Sequence, residues 1–360
     1  MSEIIFNNTL TYAGGGKDFL SPLITALFDQ DLSSAEYDED LMAKLGFKPT
    51  KALTPEQKFS VIIGAYELEE ITEDENLPDV DLGRGEAKGF EIVQYGGKIG
   101  ISKLFRKWIE SASDLNGADS SVKMEWASFA QRVQSLRGGK IKRKNMTMTQ
   151  LLTEGRSSAN AYWPWSPTPY GQPLFSASHP YRQNTLTFSN LLSTADDNLS
   201  ATSLQDWLDG LKARVRLQNG DRVRTPATYK LITGRELATT ARAVLNTPGS
   251  NAGIYSGAGN NANQANQFNF NGNMVELVEN PFIGYLTQSG ATIGTEDYWF
   301  LSNAQEAMRA SAMRYITLYE AEVNVYENHD NKKTYVSLDM GDAADHYGME
   351  SFIIGSRGTA

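Results

Sequence analysis

The sequence predicts a mixed α+β fold, with helices and strands alternating in its second half and antiparallel strands near the end. Apolar residues recur at spacings of three and four over 204–215, which is typical of an amphipathic helix. Runs rich in β-branched and aromatic residues at 229–232, 298–301 and 315–326 indicate strands. The chain has 360 residues, of which 40% are hydrophobic, so it can bury one large core or two modest ones.

Composition excludes several classes of protein. The chain has no cysteine, so disulfides, thiol nucleophiles and zinc–thiolate sites are ruled out. The formal net charge of −10 argues against a free nucleic-acid-binding protein, because such proteins are usually basic. We expect no membrane span, since no apolar run approaches the roughly 20 residues that one needs. The start of the chain, MSEIIFNNTL, lacks the features of a signal peptide.

Two short helices and an acidic loop are predicted in the first 86 residues. The first helix covers 19–27, where apolar residues share one face. The second begins near Thr54 and Pro55, with proline at its first position, and continues to Tyr66. These pieces are too small to form a core and predict an arm that packs on something else. The acidic stretch 67–86 is predicted to be a solvated loop.

A hairpin is predicted over 88–102. Two strand-like runs flank Gly96 and Gly97, and this pair can supply the positive φ of a tight turn. Because an isolated hairpin is marginal in water, we expect this one to lie against another part of an assembly. The alternative is an ordinary core hairpin.

A long helical region follows. Ser120 or Ser121 can cap it, and an apolar stripe runs along 122–136. Gly138 and Gly139 then interrupt the pattern. Since two glycines cost a helix about 2 kcal/mol relative to alanine, we expect a break or a bend there.

The strongest local positive charge of the chain lies around these glycines. It consists of Arg137, Lys140, Lys142, Arg143 and Lys144, called the basic cluster below. The cluster is either a solvated helix face or a contact with phosphates of DNA or with another subunit.

Sequence patterns also place the starts of three later helices. These patterns are Thr202-x-x-Gln205, Thr233-x-x-Glu236 and Asn303-x-x-Glu306. Between the last two, no charged residue occurs from Ala243 to Val275. Neutral amides can meet around a symmetry axis where like charges would repel, so residues 249–273 are predicted to be such a contact. The alternative is a flexible surface loop.

Candidates for chemistry are weak. The three histidines are His179, His329 and His346, and none has a partner at the spacing of a metal-ligand motif. His179 could orient its own loop through a hydrogen bond of the ring. We therefore predict no catalytic residue, no cofactor and no metal site.

Three motifs occur in a characteristic order. They are PLFSASHP at 173–180, NLLS at 190–193 and ATTARAVLN at 238–246. With the order of elements around them, these motifs resemble the tailed-phage major capsid proteins, in particular the Mu-like major head subunit family. The resemblance implies the Hong Kong 97-like capsid fold, which has an N-terminal arm, an extended hairpin called the E-loop, a spine helix, a peripheral domain and an axial domain.

The resemblance also divides the chain. Residues 1–70 correspond to the N-terminal arm and 71–108 to the E-loop. The peripheral domain combines 109–199, with a spine helix near 119–155, and 306–360. The predicted E-loop tip, which would contact a neighbouring subunit, consists of Gly96, Gly97 and Lys98.

Residues 200–305 correspond to the axial domain, with the axis-facing loop at 249–273. The asparagines expected to face the axis are Asn260, Asn261, Asn263 and Asn266.

The function implied by the resemblance is self-assembly into pentamers and hexamers of an icosahedral phage shell around double-stranded DNA. Implied partners are further copies of the chain, scaffold, portal and decoration or cement proteins, and DNA held by weak non-specific contact, with no membrane. The implied location is the virion capsid, with assembly in the host cytoplasm. Alternatives are an encapsulin-like nanocompartment shell protein and, from another class, a carboxylate-dependent hydrolase.

Overall fold

The computed structural model describes residues 38, 40–62, 84–104, 107, 120–156, 172–181, 185–191, 198–217, 220–246, 275–310, 312–328, 333–346 and 353–357. Its main helices are α1 (Leu41–Leu45), α2 (Ser120–Thr153), α3 (Ala201–Ala213), α4 (Arg235–Asn246) and α5 (Ala304–Ala310). Its strands are β1 (Phe47–Lys51), β2 (Glu56–Ile62), β3 (Arg84–Glu91), β4 (Val93–Ser102), β5 (His179–Tyr181), β6 (Leu186–Phe188), β7 (Tyr229–Thr233), β8 (Val275–Glu279), β9 (Tyr285–Leu286), β10 (Thr292–Ile293), β11 (Tyr298–Ser302), β12 (Met313–Asn328), β13 (Lys333–His346) and β14 (Ile353–Arg357). The predicted α+β class is confirmed by this mixture of helices and sheets.

The chain divides into two compact units. The small unit contains residues 1–37, 94–142 and 319–341, and the large unit contains the rest. Helix α2 and strands β4, β12 and β13 contribute residues to both units. The domain boundaries implied by the resemblance stay predictions.

The large unit is built on a four-stranded sheet with the order β14-β11-β7-β8. Strand β11 is antiparallel to β14 and β7, whereas β7 and β8 are parallel and are separated in sequence by α4. A parallel pair needs such a crossover connection. Successive residues of a strand point to opposite faces of a sheet. Consecutive residues of this sheet are buried, so both of its faces are covered.

Strand β11 shows this two-sided burial directly. Trp299 and Leu301 belong to one apolar cluster, which includes residues of α3 and α4. Phe300, between them, belongs to a second cluster that includes the end of α2. In the first cluster Trp207 stacks on Trp299 with ring centroids 4.1 Å apart. The near-continuous apolar strands of this unit therefore follow from burial on both faces.

In the small unit, β4 is the neighbour of β13, which in turn is the neighbour of β12. Buried apolar side chains come from α2 (Phe129 and Val133), β4 (Ile101) and β13 (Val336 and Leu338). The predicted apolar stripe of the long helix thus supplies part of this core.

The prediction of a tight turn at Gly96 and Gly97 is wrong. Both glycines lie inside β4, and neither has a positive φ. A Cβ on Gly97 would lie 3.1 Å from the Leu136 side chain, and one on Gly96 would lie 3.2 Å from the Leu338 carbonyl oxygen. Close approach of neighbouring groups, rather than backbone conformation, therefore explains these glycines.

The hairpin of this region uses other strands. Strand β3 pairs in antiparallel fashion with β2, not with β4. The second predicted helix, from Thr54 to Tyr66, is therefore wrong, since β2 occupies 56–62. Pairing with β3 overrides the local helix signal of Thr54 and Pro55. The helix predicted over 19–27 lies outside the described residues.

The break predicted at Gly138 and Gly139 is also wrong, because α2 is continuous from Ser120 to Thr153. Val133 and Ile141, on either side of the glycines, are buried. Burying each of these side chains contributes roughly 1.5–3 kcal/mol. Together they exceed the cost of about 2 kcal/mol for two helical glycines, so the helix persists.

The start of α3 differs slightly from the prediction. Ser200, not Thr202, is the N-cap: its Oγ accepts a hydrogen bond from the Ser203 N–H at 3.1 Å. The Ser203 Oγ accepts the Ser200 N–H at 2.9 Å, so these two serines complete the capping box. Ser200 and Ser203 therefore form the capping box that the sequence predicted for Thr202 and Gln205.

The other two predicted helix starts have opposite outcomes. Thr233 does not cap α4, because it is the buried last residue of β7 and the helix begins at Arg235. The start at Asn303 is confirmed, since its Oδ1 accepts the Glu306 N–H at 3.3 Å.

Candidate functional site

The loop that carries His179 is held by the histidine ring itself. His179 is buried, and its Nε2 lies 3.2 Å from the Leu174 carbonyl oxygen and 3.1 Å from Asn190 Oδ1. Both partners are oxygen acceptors, so the ring carries its proton on Nε2. Asn190 also donates to the Leu174 carbonyl oxygen at 2.8 Å and accepts the Ser176 N–H at 2.8 Å. The network joins the motifs at 173–180 and 190–193.

The electrostatics of His179 fit a structural role. Burial lowers the pKa of His179 to about 4, and the hydrogen bonds to Asn190 and Leu174 oppose this effect only in part. The ring packs on Phe188 with centroids 5.3 Å apart. A neutral ring that contacts an amide, a carbonyl and an aromatic side chain can fix a loop, as the sequence suggested. Asn190 was not recognised as a partner, although it lies in the NLLS motif.

Buried acidic groups near the end of β13 were missed by the sequence reasoning. Asp342, Asp345 and His346 are all buried. The Tyr315 hydroxyl donates to Asp342 Oδ2, and His346 Nδ1 lies 3.3 Å from Asp345 Oδ1. In the sequence, these buried groups are indicated only by charged residues that lie among the small and apolar residues of β13. Within the described ranges, no group of three or more histidine or acidic side chains is placed to hold a metal ion. His329 lies outside these ranges.

The basic cluster makes contacts within the chain. At 100° per residue, four of its members lie within an arc of about 120°, and only Lys142 lies outside it. These four are Arg137, Lys140, Arg143 and Lys144. Lys140 Nζ is 3.8 Å from the Glu320 carboxylate in the small unit. Lys144 Nζ is 5.1 Å from the ring centroid of Tyr315 in the large unit. At least two members of the cluster therefore have partners within the chain.

The segment predicted as the E-loop tip lies on an exposed part of the small unit. Gly96, Gly97 and Lys98 are exposed. Lys98 Nζ lies 5.1 Å from the ring centroid of Tyr335, and Tyr326 stacks on Tyr335 at 5.6 Å. This surface offers a cation and two aromatic rings, which suits contact with a protein. The axis-loop asparagines, Asn260, Asn261, Asn263 and Asn266, lie outside the described residues.

Comparison with known proteins decides the family. A family model described as phage capsid protein matches residues 159–349, which is more than half of the chain. The chain belongs to this phage capsid protein family. No curated protein matches it. The Mu-like subfamily stays a prediction.

Solved structures show which fold this phage capsid protein has. The capsid of cyanophage P-SCSP1u is 10% identical, with a TM-score of 0.52, and the match covers 92% of this chain and 91% of that one. The capsid of the native GTA particle is 9% identical, with a TM-score of 0.50 and coverage of 92% and 93%. The predicted Hong Kong 97-like capsid fold is thereby confirmed. In the part of the chain that the structure describes, no helix is long and apolar enough to cross a membrane.

Proposed function

We propose that this chain is the major head subunit of a tailed phage and that its copies form pentamers and hexamers of an icosahedral shell around double-stranded DNA. One observation carries the proposal: the capsid-family match extends from residue 159, before PLFSASHP, to residue 349, beyond the end of β13. It thus spans the whole α3–β11 core of the large unit. The family is one of structural proteins, and we infer that this chain likewise has no catalytic activity.

The charge of the chain is compatible with this role. A shell must enclose DNA without binding it tightly, and a net charge of −10 disfavours strong phosphate binding. Two kinds of surface are proposed to act in assembly. The segment Gly96–Lys98 and the loop 249–273 would contact other copies, and the basic cluster would contact DNA or a neighbouring copy.

Further partners follow from the proposed role. Scaffold and portal proteins would act in the host cytoplasm during assembly, and decoration or cement proteins would bind the finished virion capsid.

Electron microscopy of the purified protein tests the proposal. Closed shells, tubes, or rings of five and six subunits are expected. A protein that stays monomeric over a range of concentration and salt, alone and with phage scaffold, would contradict it. Shells that package a cargo enzyme rather than nuclease-protected DNA would favour an encapsulin-like nanocompartment.

A further inference from the structure

The hairpin of β9 and β10 is an uncharged and exposed part of the large unit. No charged residue occurs from Asn280 to Thr295. Leu286 is 64% exposed, one of the most exposed large apolar side chains among the described residues. The rest of the turn adds only small or neutral polar groups to this surface. Those exposed residues are Gln288, Ser289, Gly290 and Thr292.

Hydrogen bonds fix the shape of this hairpin. Thr287 N–H donates to the Ala291 carbonyl oxygen at 2.8 Å, and Ala291 N–H donates to Thr287 Oγ1 at 3.0 Å. Gly290 N–H closes the turn on the Thr287 carbonyl oxygen at 3.0 Å, with a φ of 84° that favours glycine. Strands of two residues would be unstable alone, so these bonds and the core beneath determine the shape.

Buried side chains anchor the hairpin to the large unit. Phe282 and Ile293 are almost completely buried in the cluster that includes the end of α2. Gly284 N–H donates to the Ile293 carbonyl oxygen at 2.8 Å, which ties the base of the hairpin together. A hairpin that is held in place before binding loses little conformational entropy when it binds. The backbone that carries the exposed Leu286 is held in this way by the core beneath it.

Charge indicates what kind of surface this hairpin fits. Residues 280–295 include no lysine or arginine for the phosphates of DNA and no carboxylate for a basic partner. The acidic pair Glu236 and Glu296 lies at the base of the hairpin, beside Gly284, and not among the exposed residues of the turn around Leu286. Two copies of a chain with a net charge of −10 repel one another, so they approach most easily through neutral surfaces. A second copy of this chain is the occupant that this argument favours.

We propose that the β9–β10 hairpin is a contact between copies of this chain, in which Leu286 packs against an apolar surface of the neighbouring copy. The inference rests on the proposed shell function and specifies a contact surface that the sequence motifs do not indicate. Burial of one leucine side chain per contact corresponds to roughly a tenfold change in affinity, repeated at every copy.

Two variants of Leu286 test the contact. Leu286→Asn keeps the approximate volume but removes the apolar character, whereas Leu286→Met keeps both. Light scattering and electron microscopy give the subunit concentration at which half of the protein is assembled. We expect this concentration to rise about tenfold for Leu286→Asn, with less than a twofold change for Leu286→Met. Assembly of Leu286→Asn at the wild-type concentration would overturn the inference.

If Leu286→Asn lowers the thermal midpoint of the free subunit, a labelling experiment shows whether Leu286 lies in a contact between copies. Because the chain has no cysteine, Leu286→Cys introduces a single thiol. A maleimide should label it quickly in free subunits and in unfolded protein, and at least tenfold more slowly in assembled particles. Equal rates in free and assembled protein would exclude the contact. If the wild-type protein itself never assembles, the proposed shell function fails instead, and the two failures are thereby distinguished.

Discussion

His179 makes the folded chain sensitive to mild acid. Its pKa falls from the usual 6.5 to about 4 because the ring is buried. The unfolded chain therefore binds a proton below pH 6.5, whereas the folded chain does so only near pH 4. The stability that the neutral ring contributes to the folded chain is complete above pH 6.5 and is lost progressively as the pH falls to about 4. Over that interval the free energy of unfolding should decrease by up to about 3 kcal/mol.

Denaturant unfolding of His179→Gln at pH 7 and at pH 4.5 provides the check. The glutamine amide can donate to Leu174 and Asn190 but does not titrate. We expect the variant to be less stable than the wild type at pH 7 and to lose less stability on acidification. An identical pH dependence in both proteins would show that another group is responsible.

Glu296 and Glu236 form a pair of like charges beside the β9–β10 hairpin. A hydrogen bond with Glu236 is the main reason that the pKa of Glu296 is raised. A raised carboxyl pKa stabilises the folded chain at acidic pH, and this stabilisation is lost as the pH rises through the folded-state value. Glu296→Gln should therefore raise the thermal midpoint at pH 7 and change it little at pH 4. Glu276→Gln makes the same charge change but removes the ion pair with Lys230, so it should not stabilise.

Helix α2 gives a direct test of what its glycines do. Gly139 is exposed, and a Cβ there would have no atom within 4 Å. Gly139→Ala should therefore increase the free energy of unfolding by about 0.5–1 kcal/mol, because alanine loses less backbone entropy in a helix.

Gly155, just beyond α2, is the matched control. A Cβ there would lie 2.9 Å from the Leu151 carbonyl oxygen and from the Phe175 ring. Gly155→Ala should therefore destabilise the chain in the same urea titration. If Gly139→Ala destabilises as well, the glycine pair has a role that the helix geometry does not explain.

Elements whose signal is local were predicted well. Helix α3 was found because its apolar face repeats at helical spacing, and β7 and β11 because their apolar runs are short and rich in β-branched or aromatic residues. Errors arose where tertiary contacts outweigh local preference. Gly96 and Gly97 resemble a turn, but their closest neighbours belong to Leu338 and Leu136, far away in sequence.

The same distinction applies to the candidate site. The role of His179 was anticipated as a ring hydrogen bond, but its partner Asn190 lies 11 residues away and is not implied by any periodicity. The exposed hairpin around Leu286 was missed because exposure depends on which side chains the fold buries. Capsid family membership was predictable because short motifs in a fixed order carry it, independently of any single contact.

Charge distribution is the property of the whole molecule that matters most for assembly. Every copy carries a formal charge of −10, so copies that meet around an axis repel unless the surfaces there are neutral. Two of the uncharged stretches of the chain are 249–273 and the hairpin region 280–295. Assembly of this protein should therefore depend on ionic strength, and it should be most sensitive to charges placed in these two segments.

Asn261→Asp tests the loop. If 249–273 lines an axis as proposed, one added charge would be repeated five or six times around it, and like charges within the Debye length of roughly 8 Å at physiological salt would repel. We expect Asn261→Asp to lower the assembly yield strongly at low salt, to recover at high salt, and to leave the thermal midpoint of the free subunit unchanged. Asn198→Asp adds the same charge at an exposed position before α3 and measures the general effect of one more negative charge per copy. If both variants respond to salt equally, net charge alone explains the result and the loop does not crowd an axis.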